Sequence, residues 1–215
     1  MPTAPRLKFR PTPGSKPLAN GLVLALAMLI GTAAPSAQAA LEAGARAPAF
    51  SARASLDGKP FDFSLEAALK RGPVVVYFYP SAYTGGCNIQ AHTFSVNHAR
   101  FAAAGATVIG VSLDSIERLN AFSADPAYCA GKVAVASDPD GAIARAFELE
   151  IRDAAAGKKD TRGDDIRHGL AERSTFIVTP NGLIAARLSG LKPADNVEQS
   201  LQAVQRLGLS PQAAR

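Results

Sequence analysis

Cysteine is scarce in this chain: Cys87 and Cys129 are the only two among 215 residues. So few exclude a small scaffold stapled by disulfides, and a chain of this length buries an adequate core without them. The three histidines and two cysteines do not fall at zinc-ligand spacing, and Asp138-Pro-Asp-Gly141 lacks the further acids of a calcium loop, so no metal site is expected. Tryptophan is absent, and no apolar run approaches the roughly 20 residues that span a bilayer. A surplus of one charge is missing too. The formal +5 arises from Arg6, Lys8, Arg10 and Lys16, with no acid before Leu41; the other 19 of the 23 basic residues face 18 acids, too even a balance to favour nucleic acid. What is left, 47% hydrophobic and 19% charged, is the composition of one ordinary globular domain without repeats or low-complexity tracts.

The basic leader runs into the short apolar stretch Gly21–Ile30 and then Ala37-Gln-Ala39, the order of regions in a secretory signal. Residues 1–39 are expected to be a signal peptide cut after Ala39, and residues 40–215 the exported domain, periplasmic or secreted and not stably inserted in a membrane. No cysteine follows the cut to carry a lipid, and no Arg-Arg pair marks the leader for the twin-arginine route.

Pro73-Val-Val-Val-Tyr-Phe-Tyr-Pro80 is an uninterrupted β-branched and aromatic run, the pattern of a strand buried on both faces. Ala106–Ser112 repeats it, and between them Ala91, Phe94, His98 and Phe101 fall at helical spacing, which predicts a βαβ unit. A short helix over 115–123, a short strand over 132–136, the turn Asp138–Gly141 and a helix through Phe147 follow. Residues 152–167 mix basic and acidic residues with Ala and Gly, and read as a solvated surface loop. Strands at 173–179 and 183–188 flank Pro180-Asn-Gly182, where Asn-Gly suits the positive φ angles of a tight hairpin. A helix over 196–207 closes a three-layer α/β sandwich.

The chemistry lies in Pro80-Ser-Ala-Tyr-Thr84-Gly-Gly-Cys87, which sets a thiol where a buried strand ends and a helix begins. There it feels the positive helix end, which favours the thiolate, while Gly85 and Gly86 leave backbone N–H groups open to an incoming oxygen. Thr84 also stands where a helix N-cap is expected.

Pro80-x-x-x-Thr84-x-x-Cys87 after a Val-rich strand resembles the active-site signature of the peroxiredoxins, the AhpC/TSA family, and in particular the Q-type or bacterioferritin comigratory subgroup. Gly44-x-x-Ala47-Pro-x-Phe50, Phe94, Ser137-Asp-Pro-Asp-Gly141 and Arg173-x-Thr-Phe-Ile-Val are similar to family features as well. The resemblance implies a thioredoxin-like fold with a mixed central sheet and a thiol peroxidase without metal or organic cofactor. It also implies roles. Cys87 would be the nucleophile that peroxide oxidises to a sulfenic acid, Thr84 would hold the peroxide, Arg173 would stabilise thiolate and leaving oxygen, and Pro80 would shield the pocket. The partners implied are a peroxide substrate and a dithiol reductant protein, with a monomer or homodimer as the assembly.

Two departures matter. Where Q-type relatives often carry a resolving cysteine five residues after the first, this chain has His92, and Thr-Pro-Gly-Cys is replaced by Thr84-Gly-Gly-Cys87. Cys129 is the only internal candidate for the resolving role, and pairing it with Cys87 requires the two Cα atoms to come within about 7 Å. Of the histidines, His92 is expected to make one side-chain contact, His98 to lie in the core and His168 at the surface. The alternatives are a redox-inactive thioredoxin-fold binding module with a permanent disulfide, and a thiol-disulfide oxidoreductase, which the missing Cys-x-x-Cys (Gln90 stands there) disfavours.

Overall fold

The structure, a computed structural model, describes residues 41–208; the expected signal peptide over 1–39 and its cleavage site lie outside the described residues. In chain order the elements are β1 (Ser51–Leu56), β2 (Lys59–Ser64), α1 (Leu65–Leu69), β3 (Val74–Phe78), α2 (Gly85–Ala103), β4 (Thr107–Ser112), α3 (Ile116–Ala124), β5 (Ala134–Ser137), α4 (Ala142–Ala146), β6 (Ile151–Arg152), β7 (Leu170–Ala171), β8 (Ser174–Val178), β9 (Ile184–Ser189) and α5 (Pro193–Gly208).

All five residues of β3 are buried, and they alternate between two apolar layers: Val74, Val76 and Phe78 face one, Val75 and Tyr77 the other. Such a strand must lie inside a sheet covered on both faces. The seven-stranded order is β2-β1-β5-β4-β3-β8-β9. β3, β4 and β5 are parallel, as the βαβ pattern predicts, and both flanks are antiparallel: β1 and β2 beyond β5, β8 and β9 beyond β3. Buried residues of α1 and α4 join the first layer, those of α2, α3 and α5 the second. The result is the three-layer, thioredoxin-like sandwich with a mixed sheet.

The details depart from the sequence reading in several places. No element is assigned before Pro73, yet β1 and β2 form a hairpin there, turned by Asp57 and Gly58 at φ 52° and 73°, and α1 follows. Gly182 alone takes positive φ (81°) in the second hairpin; Gly182 N–H donates to Thr179 O, so the loop has three residues rather than a two-residue Asn-Gly turn. His98 shares the helical arc of Ala91, Phe94 and Phe101 but is exposed, because a helix face is buried only where another element covers it. Residues 152–167 are largely exposed, as read, but not a free excursion: Asp160 and Ile166 are buried, and Thr161 N–H donates to Tyr83 O in the turn before α2.

Candidate active site

Two strand ends and one helix start converge on Cys87. β3 leads through Tyr79 to Pro80, the chain turns over 81–84, and α2 begins at Gly85, placing Cys87 in its first turn with 2% exposure. The N–H groups of that turn have no intrahelical acceptor and point toward the thiol's end of the helix. Arg173 arrives from the residue just before β8, next to β3 in the sheet, and its Nη2 donates to Cys87 Sγ at 3.2 Å.

What aims the guanidinium is a chain of buried side chains. Arg173 Nη1 donates to Gln90 Oε1, Gln90 Nε2 donates to Asn196 Oδ1 at 2.9 Å, and Asn196 Oδ1 also accepts from Thr175 Oγ1 at 2.7 Å. Gln90 and Asn196 are fully buried, so each hydrogen bond lost there would strand a polar group, at a cost of about 1–3 kcal/mol. Gly86 makes room: a Cβ there would stand 3.2 Å from Arg173 Nη2 and 3.4 Å from Pro193 Cγ. Gly85 is under no such constraint, since a Cβ there would meet nothing within 4 Å.

Thr84 occupies the N-cap position (φ −105°, ψ 147°) but does not cap; its Oγ1 donates to Ser81 O at 2.9 Å. With its proton committed, that oxygen keeps lone pairs with which to accept. Pro80, Thr84 and Arg173 line one cavity of about 540 Å³, rimmed by Glu150, Arg152, Asp153, Lys158 and Glu172. The geometry therefore brings Cys87, Thr84, Arg173 and Pro80 together.

Cys129 is not part of that cluster. It lies in the turn after α3, fully buried beside Tyr77, Tyr79 and Phe122 in the second apolar layer, and both cysteines are free thiols. Burial, with the nearby Asp125 charge adding to it, pushes the Cys129 thiol far above its ordinary range. In this conformation it is a protonated thiol in an apolar setting, which is a poor nucleophile. His92, exposed on α2, donates through Nδ1 to Ala127 O at 3.2 Å and so ties the helix to the turn that carries Cys129.

Behind the 81–84 turn stands a polar network that sequence reasoning did not find. Asp114, 0% exposed, accepts from Ala82 N (2.7 Å), Ser81 Oγ (2.9 Å), Ser112 Oγ (2.8 Å), Arg118 Nε (2.9 Å) and His168 Nε2 (2.9 Å). His168 is therefore half-buried and ion-paired, not a surface residue. Burial opposes charge on both partners, but the bond and charge of Asp114 outweigh it and hold His168 above its ordinary 6.5. The His168 and Ala82 bonds likewise hold Asp114 below 3.8. A raised histidine stabilises the fold fully below its unfolded value and loses that contribution as pH climbs through the folded one; a lowered aspartate loses its share as pH falls through its folded value. The melting-temperature difference between wild type and His168→Gln is thus expected to hold steady from about pH 4 to 6.5 and to shrink at higher pH, which thermal melts across that range check.

The AhpC/TSA family model matches residues 43–187. Peroxiredoxin Bcp of Xanthomonas campestris is 32% identical over 131 residues, 61% of this chain and 75% of the relative. The solved structure of Xanthomonas campestris peroxiredoxin Q superposes with a TM-score of 0.57 at 29% identity, covering 73% of this chain and 90% of that one. Peroxidoxin BcpB of Mycobacterium tuberculosis shares the fold, with a TM-score of 0.65 at 21% identity over 78% of this chain and 98% of that one.

Proposed function

We propose, from the premise that the chain belongs to the AhpC/TSA family and is a thiol peroxidase of the peroxiredoxin type, that Cys87 is its peroxidatic sulfur, reducing hydrogen peroxide and organic hydroperoxides. The observation that carries this assignment is the 3.2 Å bond from Arg173 Nη2 to Cys87 Sγ, made at a helix start beside a cavity lined by Thr84 and Pro80. The sulfur attacks the terminal peroxide oxygen; an S–O bond forms, the O–O bond breaks, and water or an alcohol leaves after taking up a proton. Arg173 stabilises the charge as it passes from sulfur to the leaving oxygen. The remaining lone pairs of Thr84 Oγ1 accept from the peroxide O–H, and Pro80 walls the pocket.

Cys129 then resolves the sulfenic acid: an S–S bond forms between the two sulfurs, the Cys87 S–O bond breaks, and water is released. Since Cys129 is buried and protonated where it stands, the first turn of α2, the 125–131 turn, or both must unwind first. A dithiol protein would return the disulfide to two thiols. Residues 1–39 direct export, so that reductant acts outside the cytoplasm, on a monomer or homodimer. The full burial of Cys129 favours a second reading, in which it is a bystander and an external thiol reduces the sulfenic acid directly.

Free-thiol counting with mass spectrometry after one equivalent of hydrogen peroxide decides between the two. Wild type is expected to lose both thiols to one intramolecular disulfide, and Cys129→Ser to lose one and gain a single oxygen. A wild type that loses only one thiol establishes the bystander reading.

A further inference from the structure

Thr161 sits in the charged segment after β6, remote in sequence from the signature, yet its one hydroxyl reaches both sides of the nucleophile. Thr161 Oγ1 donates to Tyr83 O at 2.7 Å and accepts from Asn88 Nδ2 at 3.3 Å, while Thr161 N adds a second bond to Tyr83 O at 2.8 Å. Tyr83 precedes Thr84 and Asn88 follows Cys87, so these contacts bracket the segment that carries both the peroxide-facing hydroxyl and the thiol.

The bracket holds a conformation that the chain would not keep unaided. Tyr83 has φ 60°, left-handed and unusual for a bulky residue, a strained conformation that persists only where the surroundings over-determine it. The two bonds to its carbonyl oppose that strain. Its ring is also covered: the Arg162 guanidinium lies 3.3 Å from the ring centroid, and Phe122 and Tyr128 meet it edge-on at 5.0 and 5.7 Å. The segment is itself anchored. Buried Asp160 accepts from Arg162 N at 2.8 Å and Asp164 N at 3.0 Å, and its Oδ2 takes Arg118 Nη2 at 2.6 Å. Through Nη2, Arg118 also donates to Ala82 O at 3.0 Å, closing the ring of contacts on the same turn.

We propose that Thr161 is a positioning residue for peroxide reduction: its hydroxyl locks Tyr83 and Asn88 so that Thr84 and Cys87 meet one peroxide molecule in register. This rests on Cys87 being the peroxidatic sulfur. Small misplacements of reacting groups cost rate far more than they cost stability, so the effect appears in the oxidation step. Serine in place of Thr161 keeps the hydroxyl and valine keeps the shape.

The test follows oxidation of the full-length protein by hydrogen peroxide under stopped flow, alongside thermal melts, for wild type, Thr161→Val, Thr161→Ser, Asn88→Ala and Cys87→Ser. Thr161→Val is expected to lower the second-order rate about tenfold with a melting temperature close to wild type, and Thr161→Ser to stay within about twofold of wild type. Asn88→Ala, which cuts the bridge from its other side, is expected to slow the reaction in the same direction, and it supplies the result if the valine variant does not fold. A wild-type rate in every folded bridge variant, or a serine variant as slow as the valine one, overturns the proposal. A Cys87→Ser protein reacting at the wild-type rate would instead overturn the assignment of Cys87, with Thr161 falling along with it.

Discussion

Cys87→Ser is expected to lower peroxide consumption by at least about a thousandfold while leaving the protein folded. The loss follows from the chemistry. A serine oxygen is neither ionised near neutral pH nor able to accept an oxygen atom, so no sulfenic acid equivalent forms. Folding should survive because the serine hydroxyl can accept the bond Arg173 Nη2 now makes to Sγ, and because the swap removes little volume from the apolar layer around Ala91 and Phe94. Peroxide disappearance assayed with a dithiol reductant, next to a thermal melt, checks both halves. A variant that retains even a tenth of wild-type turnover would remove Cys87 from the reaction.

Arg173→Met carries the next largest expected effect, a fall of about 10²- to 10³-fold in the second-order rate with peroxide, the range seen when one donor aimed at developing charge is removed. Methionine keeps the length and loses the charge and both donors. The variant leaves Gln90 Oε1 unpaired in a fully buried setting, so a stability loss of about 1–3 kcal/mol should accompany the rate loss. Arg173→Lys separates the two contributions. A lysine restores the positive charge, but an ammonium cannot hold the planar fork that bonds sulfur and amide at once. It should recover part of the rate, and a full recovery would show that charge alone suffices. Stopped-flow oxidation of the three proteins under pseudo-first-order conditions makes the comparison.

The parts of this site that were legible in the sequence are those whose information is local. β3 announces itself because five consecutive residues are β-branched or aromatic, and Thr84, Gly86 and Cys87 lie just beyond its end, around the start of α2. Arg173 is reached through the resemblance of Arg173-x-Thr-Phe-Ile-Val, not through spacing. The β1–β2 hairpin had a usable local signal in Asp57-Gly58, but its flanks, Ser-Ala-Arg-Ala-Ser-Leu and Lys-Pro-Phe-Asp-Phe-Ser, alternate too weakly to declare strands. The network around Asp114 had none: its contacts to Ala82 and His168 span 32 and 54 positions. Likewise, residues 152–167 are balanced in charge, and composition cannot tell that the Asp160 side chain is fully buried while that of Asp164 is 60% exposed. His98 shows the converse, a helical arc continued correctly into a position that nothing covers.

The hydrogen bond between Gln90 and Asn196 spans 106 positions, and it ties the orientation of Arg173 to α5, the last helix among the described residues. During synthesis the thiol is made long before the residues that aim its cation, so a growing chain carries the whole signature without a finished site. The arrangement waits for completion: only when α5 docks can Asn196 fix Gln90, and Gln90 fix the guanidinium on sulfur. A chain stopped short of residue 193 would keep Pro80, Thr84, Cys87 and Arg173 and still lack the brace that makes them a unit. The helix farthest from Cys87 in sequence thus completes the placement of the cation beside it.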